Sequence, residues 1–392
     1  MKRDFITIDD LSDAALVELM GLADRIRSNL RGHAADLPGH IMGSLFLEPS
    51  TRTRLSFETS MQRLGGRVVT SSDPDTSSTV KGETLADTVR IVDSYVDVLV
   101  LRHPNSGAAR LAARVAKGPV INAGDGSHEH PSQTLCDLYT LRCERGPIAG
   151  QLVVLYGDLR FGRTVHSLSR ALVRFGATVL AIPDGDLGLP AFVMADLAER
   201  PGYGVRDVLI NDMEPLFKRR GVSATLIGPT STLPPAGAGS VSYELARQKV
   251  SAIYVTRLQK ERLAGGSGGG TLPILDHRFL QTAAFTESIV LHPLPRVTEI
   301  AREVDSDPRA AYFRQAALGV PIRMALLLWS CGLVDLPTGP ERRPVLQATV
   351  PGRCRNPQCI TAKEAVEWAS LVRDGAGRTR CEFCEETAEP GQ

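Results

Sequence analysis

Apolar positions recur at helical spacing through Leu16, Leu19, Met20, Ala23, Ile26 and Leu30, with Ser12 placed to cap the start and Gly32 just past the end. A run from Ile41 to Leu47 then reads as a buried strand ended by Pro49. Leu55, Met61 and Leu64 return to helical spacing until Gly65-Gly66 stops them. Arg67 to Thr70 predicts a second strand and Ser71 to Val80 a polar loop, before Lys81-Gly82-Glu83-Thr84 opens a helix carrying Leu85, Val89 and Val92. Val96 to Leu101 (strand), Ala108 to Val115 (helix), Val120 to Asn122 (strand) and a helix through Leu135, Leu138 and Leu141 complete the series. Strand and helix alternate throughout, which predicts a doubly wound parallel sheet.

Gly146-Pro147-Ile148-Ala149-Gly150 interrupts the alternation and predicts a boundary, giving a first domain over 1–146. A second alternating series places strands at Leu152 to Tyr156 and near Thr178 to Ile182, Thr225 to Ile227, Ala252 to Val255 and Ile289 to Leu291, for a second α/β domain over 147–308. A long helix follows from Arg309 to Cys331. Past it, Pro337, Gly339, Pro340, Pro344, Pro351 and Gly352 read as a linker, 334–352, before a small domain at 353–392. A chain of 392 residues is too long for one core, in keeping with this division.

Charge narrows the function. Forty-five basic against 44 acidic residues leave nothing global to favour nucleic acid or an anionic membrane. The start, Met1-Lys2-Arg3-Asp4, lacks a secretory apolar core, and no run approaches a membrane span. A cytoplasmic protein is expected. Of seven cysteines, Cys136, Cys143 and Cys331 sit in apolar helical patterns and read as core thiols, whereas the other four crowd into the tail. Cys354-x4-Cys359 and Cys381-x2-Cys384 have the spacing of a structural four-thiolate zinc site. A nucleic-acid zinc ribbon is the rival reading, but six basic and six acidic residues between Arg353 and Glu386 give it no positive face.

The polar residues gather in loops after strands, where open α/β sheets bind ligands. Ser50-Thr51-Arg52-Thr53-Arg54 stands at a strand-to-helix junction, where free N–H groups, the helix dipole, hydroxyls and guanidiniums favour an oxyanion such as phosphate. The plainer reading is a helix cap with solvated arginines. Gly157-Asp158-Leu159-Arg160-Phe161-Gly162-Arg163-Thr164 nearly spells a nucleotide P-loop, but Arg163 replaces the lysine that stands between two phosphates. A guanidinium there suits a carboxylate better. Arg257, in the run 256–262 after a strand, would be its partner, against the alternative of a solvated charge run. The glycine-rich 265–270 beside it suggests a lid. In Leu291-His292-Pro293-Leu294-Pro295-Arg296-Val297 two prolines stiffen a turn, and a cis X-Pro bond there would aim a carbonyl into the cleft.

Taken in order, Ser-Thr-Arg-Thr-Arg at 50–54, Lys-Gly-Glu-Thr at 81–84, Arg-His-Pro at 102–104, His-Pro-x-Gln at 130–133, Gly-Arg-Thr-Val-His at 162–166, Thr-Arg-x-Gln-Lys-Glu-Arg at 256–262 and His-Pro-Leu-Pro-Arg at 292–296 make a specific set. Over residues 3 to 333 the chain resembles the catalytic chain of the aspartate carbamoyltransferase family. That resemblance implies two doubly wound parallel-sheet domains with the active site between them, and a final helix, 309–333, packed back on the first. It implies that carbamoyl phosphate is bound by Ser50, Thr51, Arg52, Thr53, Arg102, His130 and Gln133, with Ser77 and Lys81 supplied by a neighbouring subunit of a trimer. Thr53, Arg102 and His130 would meet the carbonyl oxygen, with Arg52 and Lys81 also counted among the catalytic groups. L-Aspartate would be held by Lys81, Arg163, Arg257 and Gln259, with the Leu294 carbonyl, beside Pro295, orienting its amine. The implied reaction gives N-carbamoyl-L-aspartate and phosphate, the committed step of pyrimidine (UMP) synthesis, with no metal or organic cofactor in catalysis. The ornithine branch carries a cysteine where Leu294 stands, and its cationic substrate would not suit paired arginines. The segment 263–275 is shorter and richer in glycine than the family pattern, which bears on lid closure and aspartate affinity.

The tail is similar to the zinc domain of the family's regulatory chain, through Cys-x-Asn-Pro-x-Cys-Ile-Thr and Cys-Glu-Phe-Cys-Glu. The nucleotide-binding domain that precedes it in that chain has no counterpart here. This implies a tail that joins subunits, without nucleotide regulation of that kind. The sequence leaves open whether trimers pair into hexamers or dodecamers, and whether a regulatory chain or a dihydroorotase-like pyrimidine-pathway subunit binds.

Overall fold

The computed structural model describes residues 2–72, 82–217, 221–235, 239–259, 272–338, 348–350, 354–364, 371–374 and 377–387. It divides into two compact units, one of residues 1–136 and 318–392, the other of 137–317.

In the first unit, α1 (Asp13–Ser28) opens with the Ser12 side chain accepting the Ala15 N–H at 3.1 Å. The elements β1 (Ile41–Phe46), α2 (Thr51–Arg63), β2 (Arg67–Ser71), α3 (Leu85–Asp93), β3 (Val98–His103), α4 (Ala108–Val115), β4 (Val120–Asp125) and α5 (Pro131–Arg145) follow. Their strands form a wholly parallel sheet of order β2-β1-β3-β4. β1, β3 and β4 are buried along nearly their whole length, as strands covered on both faces must be. The backbone of Phe5 extends the sheet beside β4 through bonds to Val120 and Asn122, both 2.9 Å. The strand expected at 96–101 is shifted two residues onward, so that Arg102 and His103 belong to β3 itself.

The second unit holds β5 (Leu152–Gly157), α6 (Arg163–Arg174), β6 (Thr178–Pro183), α7 (Ala191–Ala198), β7 (Tyr203–Ile210), α8 (Glu214–Phe217), β8 (Val222–Pro229), β9 (Val241–Tyr243), β10 (Val250–Val255), α9 (His277–Gln281) and β11 (Ile289–Leu291). Its seven-stranded sheet has the order β11-β10-β5-β6-β8-β7-β9. The first four strands are parallel, as expected, but β8 runs antiparallel to both β6 and β7. The connection from β7 to β8 carries only the short α8, and a parallel return would need a longer crossover. β7 was invisible as a periodic signal because it is half-exposed along most of its length.

Helix α10 (Tyr312–Ser330) is shared between the units by the chain division. Its 318–330 stretch packs in the first unit, where Ser60 Oγ donates to the Val320 carbonyl at 3.1 Å and the Arg323 guanidinium lies 5.1 Å from the Phe57 ring centre.

The tail also belongs to the first unit. β12 (Ala348–Val350), β13 (Leu371–Arg373) and β14 (Thr379–Cys381) form a small antiparallel sheet, with α11 (Ile360–Lys363) between β12 and β13. Ile360, Leu371 and Phe383 are buried in one apolar cluster with Leu101, Ala108, Leu111 and Ala112.

Candidate active site and metal centre

The carbamoyl-phosphate candidates stand at the C-terminal ends of three adjacent parallel strands. Register pairs Phe46 with Arg102 and His103 with Asp125, so the segments leaving β1, β3 and β4 emerge side by side. The Leu47 N–H donates to the Arg102 carbonyl at 2.8 Å, extending the β1–β3 pairing into the turn. Ser50 then caps α2 in extended conformation without a side-chain capping bond, and Thr51, Arg52 and Thr53 form the first helical turn. Thr53 is buried while Thr51 and Arg52 are exposed. Their free N–H groups and the helix dipole make this end a ready anion site. Arg102 Nε lies 3.4 Å from Glu48 Oε2, and its Nη1 donates to the Ala123 carbonyl at 3.4 Å. These contacts tie the guanidinium to the segment between β1 and α2 and to β4.

His130, buried immediately before α5, has Nδ1 3.3 Å from Ser132 Oγ. Gln133, half-buried, lies in the first turn of α5. Asp125 secures the loops on either side. Its carboxylate accepts from Gly107 N at 2.8 Å, Asn122 Nδ2 at 3.1 Å and Glu129 N at 3.2 Å, and meets His128 Nδ1 at 3.2 Å. His103 beside it accepts the Asn105 N–H at 3.0 Å, and burial pushes its pKa down to about 4, so it is neutral. Ser77 and Lys81 lie outside the described residues.

The aspartate candidates occupy the corresponding edge of the second sheet, after β5, β10 and β11. Arg163 is buried as the first residue of α6. Gln259 Nε2 donates to the Phe161 carbonyl at 2.6 Å and its N–H to Asp158 Oδ2 at 3.1 Å, which ties the 256–259 segment to the turn before Arg163. Asp158 also accepts from Arg160 N and Phe161 N, at 3.1 and 2.9 Å. Burial raises its pKa, and these backbone donors oppose that rise. Arg257 Nη1 donates to the Leu258 carbonyl at 3.4 Å. After β11, the Leu294–Pro295 peptide is cis and Leu294 has φ 53°. His292 Nδ1 accepts the Leu294 N–H at 2.7 Å while Nε2 meets Glu299 Oε1 at 2.8 Å, so the proton is assigned to Nε2. The glycine run 265–270 lies outside the described residues.

The structure thus gathers Ser50, Thr51, Arg52, Thr53, Arg102, His130 and Gln133 on one sheet edge, and Arg163, Arg257, Gln259, Leu294 and Pro295 on another. Three residues that hold these groups were not singled out from sequence: Asp158, His128 and Glu385. Asp158 had a local signal, a carboxylate directly after a strand-ending glycine. The other two meet only through the fold.

The tail cysteines converge. All four sulfur atoms lie within 4.8 Å of one another, with Cys354 to Cys384 at 3.6 Å and Cys359 to Cys381 at 3.8 Å. Tetrahedral metal–sulfur bonds of about 2.3 Å require edges of about 3.8 Å, so the set fits a tetrahedral ion. Hydrogen bonding from the Cys354 thiol lowers the pKa values of Cys359 and Cys381. The Phe383 N–H points at Cys381 Sγ from 3.4 Å and Asn356 Nδ2 at Cys384 Sγ from 3.6 Å, the donors that thiolate ligands attract.

Three stretches of the chain match known protein families. Residues 3–143 match the aspartate/ornithine carbamoyltransferase carbamoyl-P binding domain, and 241–330 the Asp/Orn binding domain of the same family. Residues 352–390 match the metal binding domain of the aspartate carbamoyltransferase regulatory chain. The aspartate carbamoyltransferase catalytic subunit of Thermoplasma volcanium is 44% identical over 331 residues, covering 83% of this chain and 97% of that one. That of Methanopyrus kandleri is 42% identical over 334 residues, covering 83% and 96%. Among solved structures, aspartate transcarbamoylase from Trypanosoma cruzi in complex with carbamoyl phosphate and aspartate has TM-score 0.67 at 36% identity, covering 84% of this chain and 97% of that one. The catalytic subunit from M. jannaschii has TM-score 0.63 at 36% identity, covering 83% and 96%. The chain belongs to the aspartate carbamoyltransferase family, with a metal-binding domain like that of the family's regulatory chain carried on the same polypeptide.

Proposed function

We propose that this chain transfers the carbamoyl group of carbamoyl phosphate to the amine of L-aspartate, giving N-carbamoyl-L-aspartate and phosphate at the committed step of pyrimidine synthesis. The observation that carries the reading is the α2 N-terminus with Ser50, Thr51, Arg52 and Thr53 emerging beside Arg102, an anion site with donors for both the phosphate and the carbonyl. The amine attacks the carbonyl carbon, and the oxygen gathers charge that Thr53, Arg102 and His130 meet by hydrogen bonds. The carbon–oxygen bond to phosphate then breaks, the phosphate leaves with the electron pair, and it accepts the amine proton. Ser50 to Thr53 and Lys81 stabilise it. Arg163, Arg257 and Gln259 hold the carboxylates of aspartate, and the Leu294 carbonyl orients the amine. Most of the acceleration comes from holding two anions in attack geometry.

Ser77 and Lys81 act in a neighbouring subunit of a homotrimer. Leu55, Val69, Ile91 and Tyr95 of the first unit are each about half exposed or more, apolar side chains of the kind that association covers. The tail metal is zinc, held by Cys354, Cys359, Cys381 and Cys384 in a structural role, since four thiolates leave no open position. Among the described residues no helix is long and apolar enough to cross a membrane, in keeping with a cytoplasmic enzyme.

The test is an assay of carbamoyl aspartate and phosphate formation by purified protein, with L-ornithine as the competing amine. Product from aspartate alone is expected. No product, or equal rates with ornithine, overturns the reading.

A further inference from the structure

The tail docks on the rest of the first unit at several places, and three of them lie a few residues from a group assigned to carbamoyl phosphate. Ser106 exchanges backbone bonds with the tail, its N–H to Gln358 O and its carbonyl from Ile360 N, both 2.9 Å, shortly after Arg102. Glu364 accepts the Leu85 N–H at 2.8 and 3.0 Å, at the start of α3 and shortly after Lys81. Glu385 meets Arg110 Nη2 at 3.0 Å and His128 Nε2 at 3.5 Å, and His128 lies two positions before His130.

The third contact is the one built from buried charge. The His128 side chain is 1% exposed, and that of Glu385 15%. His128 stands between Asp125 Oδ2, 3.2 Å from Nδ1, and Glu385 Oε2 on the other nitrogen, with Glu129 also close. Burial lowers its pKa, but the two carboxylates outweigh burial and raise it to about 10, so the ring is an imidazolium with a donor for each side. Asp125 belongs to the same turn and holds the N–H of Glu129. The chain is continuous from tail carboxylate to imidazolium to Asp125 to the backbone that presents His130. Such a chain transmits position, because breaking one buried charge pair leaves the other charge uncompensated.

We infer that Glu385 and His128 are positioning residues for carbamoyl transfer, through which the metal-bearing tail sets the 125–130 loop and the aim of His130 at the carbonyl oxygen. This rests on the assignment of His130 above. The tail is then part of the catalytic apparatus of its own chain, and its contacts with 106 and 85 brace the neighbouring loops in the same way.

The test compares Glu385→Gln with Glu382→Gln in the full chain. Glu382 also docks the tail, through Arg114 rather than through His128. Glu385→Gln is expected to lower kcat about tenfold, a fraction of the hundredfold or more that loss of an oxyanion donor brings. The aspartate KM stays within twofold, Glu382→Gln keeps wild-type kcat, and Glu385→Gln adds nothing in a His130→Ala background. Amide exchange across 125–130 is expected to quicken in Glu385→Gln and not in Glu382→Gln. A wild-type kcat in Glu385→Gln, an equal loss in Glu382→Gln or an additive loss with His130→Ala overturns the inference. Exchange reads the loop without turnover, so unchanged exchange sinks the positioning role, whereas quickened exchange in a protein that forms no carbamoyl aspartate sinks the function alone.

Discussion

Asp158 Oδ2 accepts the backbone N–H of Gln259 at 3.1 Å across 101 positions of sequence. Its other oxygen holds Arg160 and Phe161, so one buried carboxylate fixes both the turn that starts α6 at Arg163 and the segment that carries Arg257 and Gln259. Asp158→Ala leaves three backbone donors without this acceptor and is expected to lose about 1–3 kcal/mol of stability. Because the displaced residues are the proposed aspartate ligands, the aspartate KM should rise more steeply than kcat falls. Denaturant titration and steady-state kinetics read the two effects.

Arg52 bears differently on the fold. It is exposed at the first turn of α2, and among the described residues no buried partner depends on it. Arg52→Ala should retain wild-type melting while carbamoyl transfer falls about a hundredfold or more, as expected for loss of a charge-assisted anion contact. Near wild-type turnover would remove the anion assignment from the α2 turn.

Much of this was legible in the sequence for a physical reason. Strands such as Leu152–Gly157, buried on both faces, show as unbroken apolar runs, and the ligand loops after them show as clustered polar residues. β7 was harder: a strand half-exposed along most of its length has no apolar run, and the antiparallel course of its partner β8 depends on the shortness of 211–221. The cysteine spacing announced the tail site, because a tetrahedral ion restricts ligand spacing. Nothing local links Glu385 to His128. A buried charge network between distant segments leaves only isolated charged residues in the sequence.

Gly107 tests the docking of the tail. It holds φ +82°, and a β-carbon there would stand 2.6 Å from the β-carbon of Phe383. Gly146 has a similar φ of +79° with nothing within 4 Å. Gly146→Ala should therefore cost only the left-handed strain, about 1–2 kcal/mol. Gly107→Ala should cost more and expose the tail to limited proteolysis. Equal stability and equal cleavage in the two variants would mean that Phe383 does not pack there.

His128 gives the tail a pH signature. Its folded pKa is raised to about 10 against the ordinary 6.5, so the folded state binds more protons across that interval. The contribution is fully present below about pH 6.5 and is lost as pH rises toward 10, at no more than about 1.4 kcal/mol per unit for one proton. The wild type should lose stability across this window more steeply than His128→Gln. Chemical denaturation at several pH values compares the slopes, and parallel slopes would contradict the imidazolium.

Removing the tail metal should have effects beyond the tail. Without an ion, nothing joins the four sulfur atoms that lie within 4.8 Å of one another, and the small sheet β12-β13-β14 has too little apolar surface to stand alone. Ile360, Leu371 and Phe383 would leave the cluster they share with Ala108, Leu111 and Ala112, so the first unit should melt lower. Chelation should therefore release the four tail thiols to a thiol reagent, lower the melting temperature and reduce carbamoyl transfer, with zinc restoring all three. In sedimentation, assemblies larger than the proposed trimer should dissociate while that trimer remains. If the thiols appear but melting and activity stay constant, the tail is an appendage whose burial against α4 contributes nothing to the catalytic unit.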